Sequence, residues 1–425
     1  MRKCFWLIWF ALFLTACNTT NKPATPDTEL GTVLTTATEH ECIHPLENFS
    51  FLPSGGERKG PKPDYQLPGH PWQETTDIPY RPSSQEAGLN WASLDLIQEI
   101  NAKNEIWITI NGSDTKLVRY QIDSQQWQNV DSTTEQKEKL GNSPLLVKDK
   151  NNLIWLPRNY SWDAKVEINT PMLSVYDEEK GRFQTILTVN DFLSSESLAE
   201  NSSIEINDIQ LDSKGTFWFI VSFDMDGKNW QYKLFSFSPS THQLEQHFSN
   251  LEYAPRNNIS FVISSDDIII LLDWEKEILV EYDISKNKST TINIPNQVVT
   301  NSNEPNQNLN SAKLFLDNQQ RLWIDDRGWL DLFPQGDWHI VIRSPIFIYY
   351  QYYGNGIWSW LLPTFSFESD DGRLWYSSLR GTGWVNTETS QWCLFSTYSS
   401  NVVKDSKGNL WMIADGKLYK HPPNP

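Results

Sequence analysis

The chain is poor in the residues that build metal centres and covalent catalytic sites. It contains 4 Cys and 7 His among 425 residues. No two cysteines have the spacing of a metal site, and the histidines form no cluster. We therefore expect no metal and no cofactor, and the sequence assigns no catalytic residue.

Basic residues are also scarce relative to acidic ones. The 35 Lys and Arg residues are outnumbered by 53 Asp and Glu residues, which gives a formal net charge of -18. Because a surface this acidic repels a phosphate backbone, nucleic acid is not an expected partner.

The chain has no apolar run long enough to cross a membrane. The run near the N-terminus, Cys4 to Leu14, has 11 residues, whereas a spanning helix needs about 20. It follows the basic pair Arg2-Lys3 and fits the hydrophobic region of a secretory signal peptide. We predict that residues 1–16 are a signal peptide.

The apolar run ends in Leu14-Thr15-Ala16-Cys17, which resembles the lipobox of bacterial lipoproteins. The resemblance implies cleavage before Cys17 and lipid attachment to this cysteine. An ordinary signal peptide with a chance cysteine is the alternative. Residues 17–39 are rich in Thr and Pro and are predicted to form a flexible tether. The protein would then be exported and lipid-anchored to a membrane, at the outer membrane facing the periplasm or at the cell surface.

A short motif recurs along the chain and uses several of its 20 Trp residues. It begins with a short polar residue, usually carries Gly or Asn at its fourth position, and has Trp at its seventh. Its copies begin at Asn101, Asp149, Asp212, Asp317, Ser369 and Asp405, and a weak copy without Trp begins at Ser265.

The motif predicts a β-hairpin. Asp at its first position and Gly at its fourth suit a type I turn whose last residue has positive φ, and Asn104 and Asn152 tolerate that conformation. Apolar alternation flanks each turn, and two further short strands follow, so each unit has four antiparallel strands in about 50 residues. A closed ring of such units buries both faces of each sheet. We predict an all-β fold, a β-propeller of about seven four-stranded blades, formed by residues 94–420.

The last unit has only three strands before the chain ends. We expect its fourth strand to come from Glu41–Leu52 and to close the ring, within a segment 40–93 that continues as a Pro-rich strap. Cys42 would then lie beside blade 7 and close to Cys393 on the outer strand of blade 6. These two cysteines are a candidate disulfide in an oxidising compartment.

The repeat resembles the two-component regulator propeller family, whose units read Asp-x-x-Gly-x-Leu-Trp followed by a Gly-Leu-x-x-Tyr-Asp strand. The resemblance covers most of residues 94–420 and implies the propeller fold, with a recognition role as an expectation. Members often form the extracytoplasmic sensor of hybrid histidine kinases. This sequence contains neither a kinase module nor a transmembrane segment, so the signalling role is not carried over.

The motif turns should all lie on one face of the ring, which we call the turn face. The loops between second and third strands, with the crossovers between blades, should lie on the opposite face, which we call the loop face. Aromatic and charged residues concentrate in these loops. The candidate binding residues are Arg158, Tyr160, Trp162, Trp230, Trp274, Asp325, Arg327, Trp329, Trp358, Trp360, Arg380 and Trp384.

Aromatic platforms with a few charged groups suit sugar rings or extended peptides. The alternative is that these tryptophans fill the wedges between blades, as we expect for the motif tryptophans such as Trp218. The sequence therefore favours a non-enzymatic lipoprotein, a recognition or scaffold module that binds a glycan or protein partner. An exported hydrolase or lyase using carboxylates at the channel mouth, such as Asp325-Asp326 or Asp224 with Asp226, is the alternative function.

Overall fold

The structure is a computed structural model. It describes residues 72–79, 96–100, 103–110, 116–130, 146–160, 167–193, 203–224, 230–251, 260–273, 278–294, 314–324, 328–331, 338–339, 364–378, 381–389, 392–396, 401–414 and 416–423. These residues form 29 strands and one short helix, α1 (Val189–Phe192). Within them, no helix has the length and apolar character that a membrane crossing requires.

The strands follow one another at short intervals along the chain. The first ten are β1 (Gln73–Asp77), β2 (Leu96–Ile100), β3 (Glu105–Ile110), β4 (Lys116–Gln121), β5 (Gln126–Val130), β6 (Val147–Lys148), β7 (Ile154–Pro157), β8 (Asn159–Tyr160), β9 (Pro171–Asp177) and β10 (Arg182–Thr188). The next eight are β11 (Ser203–Leu211), β12 (Phe217–Asp224), β13 (Trp230–Ser238), β14 (Gln243–Leu251), β15 (Phe261–Ile263), β16 (Ile268–Asp273), β17 (Ile278–Asp283) and β18 (Lys288–Asn293). The remainder are β19 (Leu314–Leu316), β20 (Arg321–Ile324), β21 (Gly328–Asp331), β22 (Trp338–His339), β23 (Thr364–Glu368), β24 (Arg373–Ser378), β25 (Gly381–Asn386), β26 (Trp392–Ser396), β27 (Val403–Lys404), β28 (Leu410–Ala414) and β29 (Lys417–His421).

The strands form seven antiparallel sheets, numbered here as blades in chain order. Blade 1 is β2–β5, blade 2 is β6, β7, β9 and β10, and blade 3 is β11–β14. Blades 4, 5 and 6 are β15–β18, β19–β22 and β23–β26, and blade 7 combines β27–β29 with β1. Six sheets have four strands as predicted, whereas blade 3 has five because β8 adds to β11.

The blades form a closed ring. At four junctions the first strands of neighbouring blades contact each other, including β27 with β2 across the junction between blades 7 and 1. Contacts of β2 with β6, and of β15 with both β11 and β19, continue the inner ring. The first strands therefore lie closest to the ring axis, and the prediction of an all-β propeller is confirmed.

The core lies in the wedges between blades. Trp155 of blade 2 packs with Phe217 and Phe237 of blade 3, at ring distances of 5.1 and 6.0 Å. Trp218 of blade 3 is buried in the same way with Leu271 of blade 4. Because each motif Trp points at the next blade, apolar burial holds the ring together junction by junction.

The closing strand differs from its prediction. It is β1 (Gln73–Asp77), which pairs antiparallel with β29, whereas the predicted segment 41–52 lies outside the described residues. The buried side chains of Trp72 and Ile78 flank it and pack into the two junctions on either side of blade 7. The strand itself is polar because it is the solvent-exposed outer edge, so an apolar pattern could not reveal it.

This correction removes the reason for pairing the two cysteines. Cys393 lies on β26, the outer strand of blade 6, as predicted. Cys42 lies outside the described residues, and the edge of blade 7 is occupied by β1. The disulfide between Cys42 and Cys393 stays a prediction without a structural argument.

Candidate binding face

A buried aspartate organises each well-formed motif turn. In blade 3, Asp212 Oδ1 accepts hydrogen bonds from the backbone N–H groups of Lys214 and Thr216, both at 2.9 Å. Asp212 Oδ2 accepts a third from Trp218 Nε1 at 3.0 Å. The same carboxylate–indole bond joins Asp149 to Trp155 (2.9 Å), Asp317 to Trp323 (2.8 Å) and Asp405 to Trp411 (2.9 Å).

Blades 4 and 6 use a serine in the aspartate's place. Ser369 Oγ accepts from Trp375 Nε1 at 3.1 Å. The turn of blade 4 begins at Ser264, one residue earlier than predicted, and Ser264 Oγ accepts from the Ile268 N–H at 3.2 Å. The motif tryptophans are buried in every copy, so their predicted structural role is confirmed.

The turn face is also cross-linked from blade to blade. In the junction between blades 3 and 4, Ser213 donates through its N–H (2.9 Å) and its hydroxyl (2.7 Å) to the Asp267 carboxylate. Lys150 Nζ donates to the carbonyl of Ser213 across the preceding junction. The other five junctions are bridged by Lys103–Glu178 (3.3 Å), Ser265–Gln320 (2.7 Å), Asn318–Glu368 (2.5 Å), Lys404–Asp370 (2.7 Å) and Ser406–Asn104 (2.5 Å). Much of this face's hydrogen-bonding capacity is therefore used within the ring.

The loop face is only partly described. Trp162, Trp274, Asp325, Asp326, Arg327, Trp358, Trp360 and Arg380 lie outside the described residues, as do Asp226 and Cys17. Trp230 and Trp329 lie on strands rather than in loops, at the loop-face ends of β13 and β21. Asp224 ends β12 opposite Trp230.

The structure places Trp384 in the core rather than in a loop. It lies on β25, pairs with Trp375 of β24, and is only 6% exposed. It packs with Trp72 and Met412 in the junction between blades 6 and 7, and the Arg373 guanidinium lies 4.5 Å from its ring. Trp384 therefore fills the wedge between blades 6 and 7, which is the alternative position for these tryptophans.

Arg158 is likewise buried. It follows β7, and its N–H donates to the carbonyl of Met172 at 2.9 Å. Two residues earlier on the same side of the chain, Leu156 packs in the junction between blades 1 and 2. Arg158 therefore belongs to the base of the loop rather than to its accessible surface.

Tyr160 lies closer to the axis than the sequence indicates. Together with Asn159 it forms β8, which pairs with Ile204 and Glu205 on the free inner edge of blade 3. The loop of blade 2 thus crosses to blade 3 on the loop face. Ile168 of the same loop is one of two exposed large apolar side chains among the described residues.

The pairing of β8 with β11 draws attention to Glu205, which the sequence analysis missed. Glu205 is half-buried on β11, between β8 and β12, and it pairs with Ser222 of β12, which in turn pairs with Tyr232 of β13. Residues paired across strands point to the same side of a sheet. Tyr232 packs against Phe261 of blade 4, so this row faces the junction between blades 3 and 4.

Burial shifts the acidity of two members of the row. It raises the pKa of the Glu205 carboxyl above its usual value. It also raises the pKa of Tyr232 to about 12, and negative charge on Glu205 contributes to that shift. Tyr232 therefore keeps its hydroxyl proton at neutral pH, and burial disfavours the charged form of Glu205 relative to an exposed Glu.

A sequence signal for Glu205 exists in retrospect. The segment Ser203-Ile204-Glu205-Ile206 alternates polar and apolar residues, which places the Glu opposite the apolar face of a strand. The segment cannot show that β8 of blade 2 pairs with this strand or that blade 4 covers its neighbours.

Comparisons with known proteins support the fold. No family model matches the chain, and no curated protein matches it in sequence. Among solved structures, virginiamycin B lyase from Staphylococcus aureus is similar with a TM-score of 0.50 and 12% identity, covering 82% of this chain and 98% of the lyase. The extracellular domain of a protein described as a one-component system from B. thetaiotaomicron gives a TM-score of 0.35 and 14% identity, over 76% of this chain and 39% of that one. A protein described as a gluconolactonase gives 0.40 and 9%, over 82% and 90%.

The likeness to virginiamycin B lyase supports the fold class, a β-propeller, and nothing finer. The resemblance of the repeat to the two-component regulator propeller family stays a prediction. Within the described part of the chain, no group of three or more His, Cys, Asp or Glu residues is placed to hold a metal ion.

Proposed function

We propose that the protein is an exported, lipid-anchored recognition or scaffold module that binds a glycan or a protein partner on its loop face. The observation that carries this proposal is the difference between the two faces of the ring. On the turn face, aspartates and serines bond to the turns and to neighbouring blades. Toward the loop face, the described residues include a half-buried acid, Glu205, and an exposed apolar side chain, Ile168.

Polar groups that bond within the fold differ from those that remain available to a ligand. A polar group that bonds within the fold has little left to offer a ligand, whereas convergent polar groups beside apolar surface are typical of binding sites. Glu205 lies on β11, the first strand of blade 3, and the paired Ser222 and Tyr232 lie on the next two strands outward. Trp230 and Trp329 are aromatic candidates at the loop-face ends of β13 and β21.

A thermal-shift screen tests binding. The soluble fragment from residue 18 onward is screened against polysaccharides and cell-wall fragments, because a ligand at 100 times its Kd adds about 2.7 kcal/mol of stability. We expect a hit whose shift is lost in Trp329→Ala or Trp230→Ala. Trp127→Ala, on the outer strand of blade 1, serves as the matched control and should keep the shift. A shift that survives both loop-face substitutions would refute the assignment of the face.

The lipid anchor is tested separately. Cells expressing the full chain are fed an alkyne fatty acid, and the protein is recovered from membrane and soluble fractions. We expect label and membrane association in the wild type, and loss of both in Cys17→Ser. An unlabelled wild-type protein would show that Cys17 follows an ordinary signal peptide.

An extracytoplasmic hydrolase or lyase is the second candidate, and Glu205 is the observation that favours it. A carboxyl group whose pKa is raised by burial, as that of Glu205 is, is better suited to act as a general acid than an exposed one. Chromatography of a bound oligosaccharide after long incubation decides between the two. Intact ligand supports recognition, and products that disappear in Glu205→Gln support catalysis.

A further inference from the structure

Blade 3 carries a buried cation whose charge is not paired. Lys233 lies on β13 and is only 7% exposed. Among the described residues its ammonium makes no hydrogen bond and no ion pair, and its Nζ lies 4.8 Å from the centre of the Phe223 ring. Because burying a lysine is costly unless its charge is paired, this ammonium requires a physical explanation.

Two other buried cations of the ring are paired within the fold. Arg321 is 7% exposed, and its Nε lies 2.5 Å from Asp317 Oδ2. Arg119 is also 7% exposed, and its Nη1 lies 3.3 Å from Glu105 Oε1. The ammonium of Lys233 instead contacts one aromatic ring, and a cation–π contact leaves its three N–H donors unused.

Strand pairing shows where the Lys233 side chain points. Lys233 pairs with Val221 of β12, and Phe223 lies two residues nearer to the loop-face end of that strand. Val221 and Phe223 belong to the apolar cluster between blades 2 and 3. Since paired residues point to the same side of a sheet, the lysine enters that junction. Its contact with Phe223 directs the ammonium toward the loop face.

The ammonium of Lys233 keeps contact with solvent although the rest of the side chain is buried. If its Nζ were sealed from water, it would be a fully buried polar atom without a partner, and it is not one. Deeper in the junction, Phe192 of α1 packs on Phe235 at a ring distance of 5.2 Å. A cation at the mouth of an apolar wedge has already lost part of its hydration, so pairing it with an anion costs less further desolvation.

The described acids of neighbouring elements are bonded or directed elsewhere. Asp191 of α1 accepts hydrogen bonds from the N–H and the hydroxyl of Thr188. Asp208 Oδ2 accepts from the Phe261 N–H of blade 4 at 3.2 Å. Glu205 lies on the side of blade 3 that faces blade 4. The position beside this ammonium is therefore left to a carboxylate that a ligand supplies.

We propose that Lys233 is the anion-binding residue of a loop-face subsite between blades 2 and 3, which takes the carboxylate of an acidic saccharide. An ammonium is a compact point charge that suits one carboxylate, and a uronic acid carries one carboxylate on each sugar ring. An extended peptide would instead add to a free strand edge, and the inner edge of blade 3 is already paired with β8. This inference rests on the proposed function and narrows its ligand to an acidic glycan.

The experiment measures the affinity of the soluble fragment for oligomers of galacturonate and of mannuronate, each compared with its uncharged methyl ester. The chain has a formal net charge of -18, so general electrostatic attraction would not favour the acid. We expect an acidic oligomer that binds about tenfold more tightly than its ester, the scale of a charge-assisted hydrogen bond. Lys233→Met should remove this preference. Lys116→Met removes an equal charge from an exposed position at the loop-face end of β4 and should behave as the wild type.

The stability of the same variants separates binding from folding. Met has nearly the length of Lys and no charge, so Lys233→Met should leave the unfolding midpoint unchanged or raise it while the affinity for the acid falls. Lys233→Arg keeps the charge and should retain a preference for the acid over its ester. A purely structural lysine would change the midpoint and leave the ratio of the two affinities as it is.

The outcomes also distinguish this subsite from the wider proposal. An acidic oligomer that binds Lys233→Met as tightly as the wild type overturns the subsite, and loop-face recognition stands if Trp329→Ala removes that binding. Equal affinities for acid and ester, or no acidic oligomer that binds, overturn the subsite as well. A glutamate-rich peptide is measured in parallel, and binding of this peptide alone, in a manner that requires Lys233, overturns the saccharide assignment.

Discussion

Asp212 should be one of the most sensitive positions in the ring. Its buried carboxylate accepts two backbone hydrogen bonds and one from the Trp218 indole, at distances of 2.9, 2.9 and 3.0 Å. Each hydrogen bond to a charged group contributes about 1.5–3 kcal/mol, although bonds that share one carboxylate are not additive. Asp212→Ala also leaves the buried indole N–H unpaired. We expect a loss of about 3–4 kcal/mol in the free energy of unfolding.

Graded substitutions at Asp212 test the reasoning bond by bond. Asp212→Asn keeps an oxygen for the backbone N–H groups but turns an amide donor toward the indole donor, and should cost about 2 kcal/mol. Asp212→Ser copies the arrangement at Ser369, where one hydroxyl accepts from Trp375, and should be less damaging than Ala. Asp266→Ala removes an equal charge from an exposed position of the next turn and is the matched control.

The assay is urea unfolding of the soluble fragment followed by tryptophan fluorescence, with the midpoint and slope fitted together. A loss in Asp212→Ala within about 0.5 kcal/mol of the Asp266→Ala value, the range of ordinary surface substitutions, would refute the role assigned to the carboxylate. An equal loss for Ser and Ala would show that the indole bond contributes little.

Three further perturbations have defined outcomes. His247 donates to or accepts from Ser236 at 2.7 Å and lies 4.5 Å from the Trp218 ring. Burial lowers the pKa of His247, so folding favours its neutral form. Its contribution to the free energy of unfolding is therefore present above about pH 6.5 and lost as the pH falls below that value. His247→Gln should flatten the dependence of Tm on pH between pH 7 and 5. Gly215 has φ +83°, and a Cβ there would lie 2.8 Å from the Lys150 side chain, whose ammonium bridges blades 2 and 3. Gly215→Ala should therefore lower Tm more than Gly372→Ala, because the atom nearest to a Cβ at Gly372 is 3.6 Å away. Trp72→Ala should cost about 3–5 kcal/mol by loosening the closing strand, and calorimetry of Trp127→Ala provides the less buried comparison.

The motif hairpins could be predicted because their determinants are local. Asp212, Gly215 and Trp218 lie within seven residues of one another and bond among themselves, so their order in the sequence specifies the turn. Gly215 has positive φ, as does Asn152 at the equivalent position of blade 2. The number of such motifs then predicts a ring, because repeated sheets of this size bury both faces only by closing.

The closing strand could not be found in this way. Thr75 bonds to the carbonyl of Leu418, which lies 343 residues further along the chain. The pairing is set by Trp72 and Ile78, which enter junctions that exist only once the ring has formed. The exposed middle of the strand carries no pattern of its own, since an outer edge needs none.

Trp384 and Glu205 show the same limit at the candidate site. A Trp in a repeat suits a binding platform and a core equally well, and only the arrival of Trp72 and Met412 from other segments makes Trp384 a core residue. Glu205 becomes a candidate because β8 covers its strand edge from blade 2 while Phe261 approaches from blade 4. Burial by distant segments, rather than residue type, decides which polar and aromatic side chains remain available.

The distribution of hydrogen bonds suggests why function should concentrate on one face. Ser213 and Asp267 on the turn face hold neighbouring blades together, so a change there weakens a junction. The loops on the opposite face join strands whose pairing is already fixed by the hairpins. They can vary in length and composition at small cost to the ring, since closure entropy grows slowly with loop length. Glu205 lies on a strand near these loops. It therefore has a fixed position and can reach a ligand that the loops hold, and precise recognition requires both.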